Sequence, residues 1–281
     1  MTPGAETVGA LLAAGQQELR QRQADAALLE LEAQVLLAHA LDVSRSVLVA
    51  HPERVVPARA ASDYRALLRR RVLGEPLAYL TGRREFWSLE LEVNPHVLIP
   101  RPETEGLVER ALALGPGSAR VADLGTGSGA IALALARERP DWQLIATDRS
   151  PAALEVAQRN AARLGIPSIR WRLGAWFEAL PAGEFDLILS NPPYVAEKDA
   201  ALDALRFEPR AALSAGPDGL SCLRLLAQGA PRYLRRGGWL ILEHGATQGA
   251  AVRAALVATG FTHVRSHPDL AGHERITEGQ R

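Results

Sequence analysis

Two short stretches of this chain carry residue types and spacings suited to chemistry. The first is Gly125-Thr126-Gly127-Ser128-Gly129, which follows the run Val121-Ala122-Asp123-Leu124 directly and leads into Ala130-Ile131-Ala132-Leu133. Alternate glycines between a strand and a helix let the backbone turn tightly and approach a ligand that a Cβ would exclude. Asp148 closes the next predicted strand, where a carboxylate can accept both hydroxyls of a ribose. Loop and acid together predict a nucleoside-containing cofactor. The loop alone also satisfies the permissive dinucleotide fingerprint, and a strand-to-helix turn without any ligand uses glycines as well.

The second stretch is Asn191-Pro192-Pro193-Tyr194, at the end of the apolar strand Phe185-Asp186-Leu187-Ile188-Leu189-Ser190. Two prolines remove two backbone donors, fix two φ angles and bias Asn191 and Pro192 to extended conformations. The Asn191 side-chain oxygen and the Pro192 carbonyl can then face one point as acceptors, a pair suited to a planar nitrogen bearing two hydrogens. Such a nitrogen is a poor nucleophile because its lone pair is delocalised. Holding both of its N–H groups while the lone pair faces an electrophile is a route to catalysis. Tyr194 can pack on the flat face of the bound group. Read blandly, the prolines merely end a strand and Asn-Pro marks a turn.

Both stretches need a scaffold that ends strands at one place. From Glu103 onward the pattern alternates: helix 103–114, strand 119–124, helix 129–138, strand 143–147, helix 151–164, strands 168–172 and 185–190, helix 219–235, strand 238–243, helix 247–259 and strand 261–266. This predicts an α/β fold, a doubly wound, mostly parallel sheet whose ligands bind beyond the carboxyl ends of the strands. Before it, Leu11, Leu12, Leu19, Leu28, Leu29, Leu31, Val35, Leu36 and Leu37 fall at helical spacings, with Asp25 and Ser62 as candidate N-caps. The predicted organisation is a helical bundle over 1–74, a linker over 75–100 in which Phe86, Leu89, Leu91 and Val93 suggest a β-hairpin beside the Asn94-Pro95 turn signal, and the α/β domain over 101–281.

Composition narrows the function. Thirty-two basic residues balance thirty-two acidic ones, so the basic excess of a protein that grips a long stretch of nucleic acid is missing. The one cysteine, Cys222, cannot form an intramolecular disulfide, and no apolar run approaches the roughly 18 residues that span a bilayer. A cytoplasmic enzyme that meets neither membrane nor nucleic acid directly is the expectation. His263, His267 and His273 lack the cysteines or acids that would complete a metal site, so none is expected. Arg69-Arg70-Arg71 reads as a solvated helix end whose cations meet the dipole.

With these residues in hand, Asp123-Leu-Gly-Thr-Gly-Ser-Gly129, Asp148 and Asn191-Pro-Pro-Tyr194 together resemble the S-adenosylmethionine-dependent methyltransferases of amide and amino nitrogens. The stretches Gly74-Glu-Pro-Leu-Ala-Tyr-Leu-Thr-Gly82, Glu85-Phe86-Trp87, Ile99-Pro-Arg-Pro-Glu-Thr-Glu105 and Arg206-Phe-Glu-Pro209 are similar to the HemK/PrmC family, the glutamine N5-methyltransferases of peptide chain release factors. The resemblance implies a Rossmann-like (class I) methyltransferase sheet. It implies that Gly125, Thr126, Gly127, Ser128, Gly129, Asp148, Trp176 and Asn191 hold S-adenosyl-L-methionine. It also implies that Asn191, Pro192, Pro193 and Tyr194 hold the substrate glutamine, with Asn191, Pro192 and Tyr194 catalytic. Release factors are then the partners, and the helical bundle is a docking surface.

Two features depart from the family pattern. Ala175 stands where an acid usually precedes the Trp-Phe pair, leaving backbone groups or Glu178 as replacements. The segment between Tyr194 and Arg206 is shorter than is common. Arg101 to Glu105 reads equally as a substrate-side element and as an ordinary helix entry with proline and acids in its first turn. The same Asn-Pro-Pro-Tyr turn also serves adenine N6 methylation of DNA or RNA, and a glutamine of a ribosomal protein is a sibling substrate.

Overall fold

The computed structural model describes residues 6–20 and 25–281, which group into two compact units, Met1–Gly82 and Arg83–Arg281. The first holds helices α1 (Val8–Leu19), α2 (Ala26–Leu41), α3 (Arg45–Ala50), α4 (Ala58–Val72) and α5 (Leu77–Thr81). Leu11, Leu19, Leu36, Leu37, Leu48, Tyr64 and Leu68 fill its core, each contributing on the order of 1.5–3 kcal/mol on burial. Asp25 caps α2 by accepting from the Ala27 N–H at 2.8 Å. Ser62 caps nothing: α4 starts after Pro57, and Ser62 lies inside it. Nor is Arg71 a solvated helix end, since its guanidinium sits 2.5 Å from the Glu32 carboxylate with both side chains nearly buried. The short helix α5, which starts after Pro76 and ends at left-handed Gly82, places Leu80 in this same core. Five residues are too few to show a helical period.

The second unit opens with a hairpin, β1 (Arg83–Phe86) against β2 (Leu89–Glu92). Its turn is Trp87-Ser88, not Asn94-Pro95, and both turn residues have positive φ, 50° and 55°. Side chains elsewhere hold this unfavoured turn: Glu105 accepts from the Trp87 backbone N–H at 2.8 Å and Glu138 from its indole N–H at 2.9 Å. There follow α6 (Glu105–Leu114), β3 (Arg120–Leu124), α7 (Ala130–Glu138), β4 (Gln143–Asp148), α8 (Pro151–Leu164), β5 (Arg170–Leu173), β6 (Phe185–Ser190), α9 (Ala201–Ala204), α10 (Ser221–Gly229), β7 (Leu234–Glu243), α11 (Gly249–Ala258), β8 (Thr262–Pro268) and β9 (Glu274–Gln280).

The strands make one sheet in the order β5-β4-β3-β6-β7-β9-β8. The first five are parallel, and β9 runs antiparallel to both of its neighbours. Apolar clusters line both faces, one centred on Leu133, Leu135 and Leu187, the other on Ile188, Leu226 and Leu240. From β3 the chain builds outward through β4 and β5, then returns to place β6 on the other side of β3. That reversal opens a crevice at the carboxyl ends of β3 and β6, where the glycine loop and Asn191 emerge.

Besides the unpredicted short helix α9, two further elements differ from the sequence prediction. The helix predicted to run to 235 stops at Gly229, where an added Cβ would lie 2.4 Å from the Phe177 ring, and Pro231 follows in a short 3-10 turn. Strand β9, Glu-Arg-Ile-Thr-Glu-Gly-Gln, shows no apolar alternation, yet it lies between β7 and β8. Its fully buried Glu278 is paired with Arg110 and Arg265 at 2.8 and 2.6 Å.

Candidate active site

Backbone hydrogen bonds fix the glycine loop. The Gly125 and Thr126 N–H groups both donate to the Thr147 carbonyl, at 2.9 and 2.8 Å, and the Gly129 N–H donates to the Thr126 carbonyl at 2.9 Å. Gly129, at φ 85°, lets the start of α7 approach its neighbours, because a Cβ there would meet Leu133, Ala157 and Trp171 at 3.1 to 3.2 Å. Asp123 is fully buried beneath the loop and accepts from the Thr126 hydroxyl at 2.6 Å. Burial pushes its carboxyl up to about 7. An acid within an otherwise apolar central strand was the signal available for this residue.

Asp148 ends β4 with its carboxylate already oriented. One oxygen accepts from the Gly127 N–H and the other from the Ser150 N–H, both at 2.9 Å. Burial raises its pKa and these backbone donors oppose the rise. A carboxylate offers about four lone-pair sites, so spare acceptor capacity remains. Across the crevice, the Trp176 ring comes within 3.5 Å of where a Gly125 Cβ would stand. Trp176 itself holds a positive φ of 50°, a conformation a bulky residue keeps only when its surroundings demand it. Ala175 presents a methyl group to the crevice, while Glu178 is exposed and lies outside the cavity lining.

At the other end, the Asn191 Nδ2 donates to the Thr104 hydroxyl at 3.1 Å. Its Oδ1 is buried with no hydrogen-bond partner. The Ser190 hydroxyl donates to the Leu124 carbonyl at 2.6 Å, tying the ends of β6 and β3 together. Pro192 is buried behind the turn. The Tyr194 hydroxyl reaches the Glu243 carboxylate at 3.3 Å, and burial, with Glu243 next to it, keeps the phenol well above its ordinary range.

Between the two ends lies a cavity of about 310 Å³. Of the residues predicted for the site, Gly125, Thr126, Gly127, Ser128, Asp148, Trp176, Asn191 and Pro193 line it, whereas Gly129, Pro192 and Tyr194 stand behind the lining. Thr104 and Cys222 also line it. The buried acids Asp123 and Glu243 lie behind it; Thr104 belongs to the Arg101–Glu105 stretch read as either a substrate-side element or a helix entry, and Glu243 was not anticipated as a site residue. His267 lies on β8 beside Glu278, at 3.2 Å. Among the described residues no group of three or more histidine, cysteine or acidic side chains is placed to hold a metal.

The donor set suits a nucleoside cofactor: an oriented carboxylate with spare acceptor capacity, a backbone loop free of Cβ atoms, and a flat indole opposite. The unpaired Asn191 oxygen suits a substrate N–H.

Two family models match parts of this chain. Residues 10–82 match the PrmC N-terminal domain model and residues 105–216 the methyltransferase small domain model. A release factor glutamine methyltransferase of Xylella fastidiosa strain Temecula1 is 52% identical over 253 residues, covering 89% of this chain and 92% of that protein. Another from Vibrio cholerae is 46% identical over 280 residues, 98% of this chain and 96% of that protein. A solved methyltransferase structure from Pyrococcus furiosus superposes with a TM-score of 0.54 at 19% identity, covering 78% of this chain and 98% of that one, a likeness of fold alone. With identity at this level along nearly the whole length of both partners, the chain belongs to the release factor glutamine methyltransferase family.

Proposed function

We propose that this protein transfers the methyl group of S-adenosyl-L-methionine to the side-chain amide nitrogen of the glutamine in the Gly-Gly-Gln loop of peptide chain release factors. The observation that carries this reading is Asn191, a residue of the cavity wall whose Nδ2 is committed to Thr104 and whose buried Oδ1 has no donor. An unmatched buried acceptor costs roughly 1–3 kcal/mol, a cost that a substrate N–H would remove.

Asn191 Oδ1 and the Pro192 carbonyl accept the two N–H groups of the substrate amide and turn its lone pair toward the methyl donor. Bound S-adenosyl-L-methionine supplies a methyl activated on a sulfonium, so no side chain has to generate an electrophile. Asp148 would take the ribose hydroxyls on its remaining lone pairs, Gly125 to Ser128 would hold the methionine part, and Trp176 would pack against a flat face of the cofactor. Tyr194 braces the turn from behind through Glu243. The new N–C bond would replace the methyl–sulfur bond of the donor, whose electron pair stays on sulfur as a thioether, and the amide proton would then pass to solvent; no general base is assigned. The helical unit up to Gly82 serves as the docking surface for the release factor, its near-balanced charge matching a protein partner.

Incubation with labelled S-adenosyl-L-methionine and three substrates, a purified release factor, ribosomes and DNA, tests the proposal. Label is expected on the Gly-Gly-Gln glutamine of the factor. Label confined to DNA adenine or to a ribosomal protein overturns it.

A further inference from the structure

One side chain ties the exit of the catalytic turn to the start of α11. Gln248 stands just before that helix, and every polar group of its amide is engaged. The Gly245 N–H donates to Oε1 at 2.9 Å, while Nε2 donates to the Tyr194 carbonyl at 3.0 Å and to the Gly219 carbonyl at 3.4 Å. A backbone N–H only donates and a carbonyl only accepts, so this amide has one orientation. Gly245 is itself held, because the buried His244 donates from Nδ1 to its carbonyl at 2.9 Å. Gly219 makes room for the contact: it has φ 73°, and an added Cβ would lie 2.3 Å from the Tyr194 carbonyl oxygen and 2.9 Å from Gln248 Nε2.

From this geometry we propose that Gln248 is a positioning residue for methyl transfer: by pinning the Tyr194 carbonyl it sets the direction of the Pro192 carbonyl, the second acceptor for the substrate amide. The inference rests on the function proposed above. The Tyr194 and Val195 N–H groups both donate to the Leu213 carbonyl, at 3.1 and 2.9 Å, so Gln248 completes a hold on the Tyr194 peptides from two sides. The entrance of the turn is tied by the Ser190 hydroxyl to the Leu124 carbonyl. Between these anchors the two prolines fix two φ angles. Little freedom is left, and the Pro192 carbonyl points where the position of Tyr194 sends it.

A plainer role accounts for part of this arrangement. A glutamine whose side chain reaches back to the N–H of the residue three before it is half of a capping box, and glutamate serves equally well there. That role uses Oε1 alone. It leaves the Nε2 donors unexplained, and they reach residues 54 and 29 positions away in the sequence. The Gln248 side chain gives no cap hydrogen bond to α11 itself. Without the Nε2 bonds the exit of the turn can shift, and the Pro192 carbonyl with it, while Asn191 stays tied to Thr104. The substrate amide then keeps one acceptor and can rotate about it. The cofactor, held at the glycine end, is untouched.

The test is single-turnover transfer to a purified release factor at saturating S-adenosyl-L-methionine, with the rate expressed per folded site counted by the stoichiometry of cofactor binding. Gln248→Glu keeps the acceptor for the Gly245 N–H but, ionised, turns lone pairs toward two carbonyl oxygens. It should slow transfer by about 10–100-fold, the usual penalty for misplacing a reacting group. A capping role alone predicts the parent rate for this variant. Gln248→Met, of similar length and without hydrogen bonds, should slow transfer by about 3–10-fold, since it removes the pin without adding repulsion. Cofactor affinity should stay within about twofold of the parent in both. Parent-like transfer by Gln248→Glu, a larger loss in Gln248→Met than in Gln248→Glu, or a cofactor affinity that falls as far as the rate would each overturn the pin. Should Gln248→Glu not fold, Gln248→Met decides alone, and parent-like transfer by it overturns the pin. Asn191→Ala separates the two ideas: full transfer by that variant sinks the function proposed above, whereas a dead Asn191→Ala beside a parent-like Gln248→Glu sinks the pin only.

Discussion

The two ends of the cavity are held in opposite ways. At the glycine end the polar groups that line the cavity are matched within the protein: Gly125 and Thr126 donate to Thr147, Gly127 and Ser150 to Asp148, and the Thr126 hydroxyl to Asp123, while the unpartnered atoms there, Asp123 Oδ1 and Thr147 Oγ1, belong to residues behind the lining. At the Asn191 end one strong acceptor, Oδ1, has no partner. The first arrangement is a finished cradle, and a ligand entering it adds bonds without rearranging the wall. The second is an incomplete one, whose missing bond only a substrate donor can supply. Cofactor affinity should therefore depend on the first end and the chemical step on the second.

Breaking the Asn191 end should have the largest effect. Asn191→Ala removes one of the two acceptors that orient the nucleophile, a loss of about 10²–10³ in rate for a positioned polar group in a closed site. Single-turnover transfer at saturating cofactor should fall by that factor while calorimetric cofactor affinity changes by less than about threefold. Asn191→Asp keeps an acceptor but sets a charge beside a neutral amide, and should be slowed less. If cofactor affinity falls as far as the rate, the division of labour between the two ends is wrong.

The reverse substitution should split the other way. Asp148→Ala removes a charged acceptor assigned to the ribose hydroxyls, which costs on the order of 1.5–3 kcal/mol. Cofactor binding should weaken correspondingly, and transfer measured with the cofactor raised to saturation should recover most of the parent rate. Because Asp148 also accepts from Gly127 and Ser150, part of this loss is loop order. Amide exchange of Gly127, compared between variant and parent, separates the two contributions.

The cradle was more legible in the sequence than the turn. A strand, a glycine run and a helix that follow without a gap specify one local geometry, and Asp148 falls at the end of the adjacent strand whatever the rest of the chain does. Asn191 was visible because its prolines are adjacent to it. Glu243 was not, and Thr104 only as one residue of the ambiguous Arg101–Glu105 stretch, since Thr104 is 87 residues from Asn191 and each reads locally as a helix-entry or strand-end residue. Their meaning arises only when the sheet sets β7 beside β6. Strand β9 escaped for a related reason: its charges are neutralised by Arg110 and Arg265 from elements far away in sequence, and no local pattern records that pairing. The Trp87-Ser88 turn likewise depends on Glu105 and Glu138, which lie beyond the hairpin.

The smallest effect on the comparison, and the one that sharpens it most, is expected beneath the cradle. Asp123 is fully buried, and its carboxyl is pushed from an ordinary value of 3.8 up to about 7. A carboxyl with a raised folded-state pKa holds its proton more tightly in the folded chain than in the unfolded one. Its contribution to stability is therefore full below pH 3.8, is lost progressively as pH rises toward 7, and stays lost above that. Asp123→Asn cannot ionise, and its amide oxygen still accepts from the Thr126 hydroxyl. Its stability relative to the parent should accordingly rise between pH 5 and pH 8. The new amide also buries two donors, a cost that is the same at both pH values and lowers the variant at each without changing the rise; the rise should be at least roughly 1 kcal/mol, or about 2–4 °C in Tm. Transfer at the Asn191 end should stay near the parent rate. Melting curves at the two pH values test this. A variant that melts below the parent by the same margin at both would show that the Asp123 charge is compensated within the loop, and that the cradle is tuned to hold a buried carboxylate.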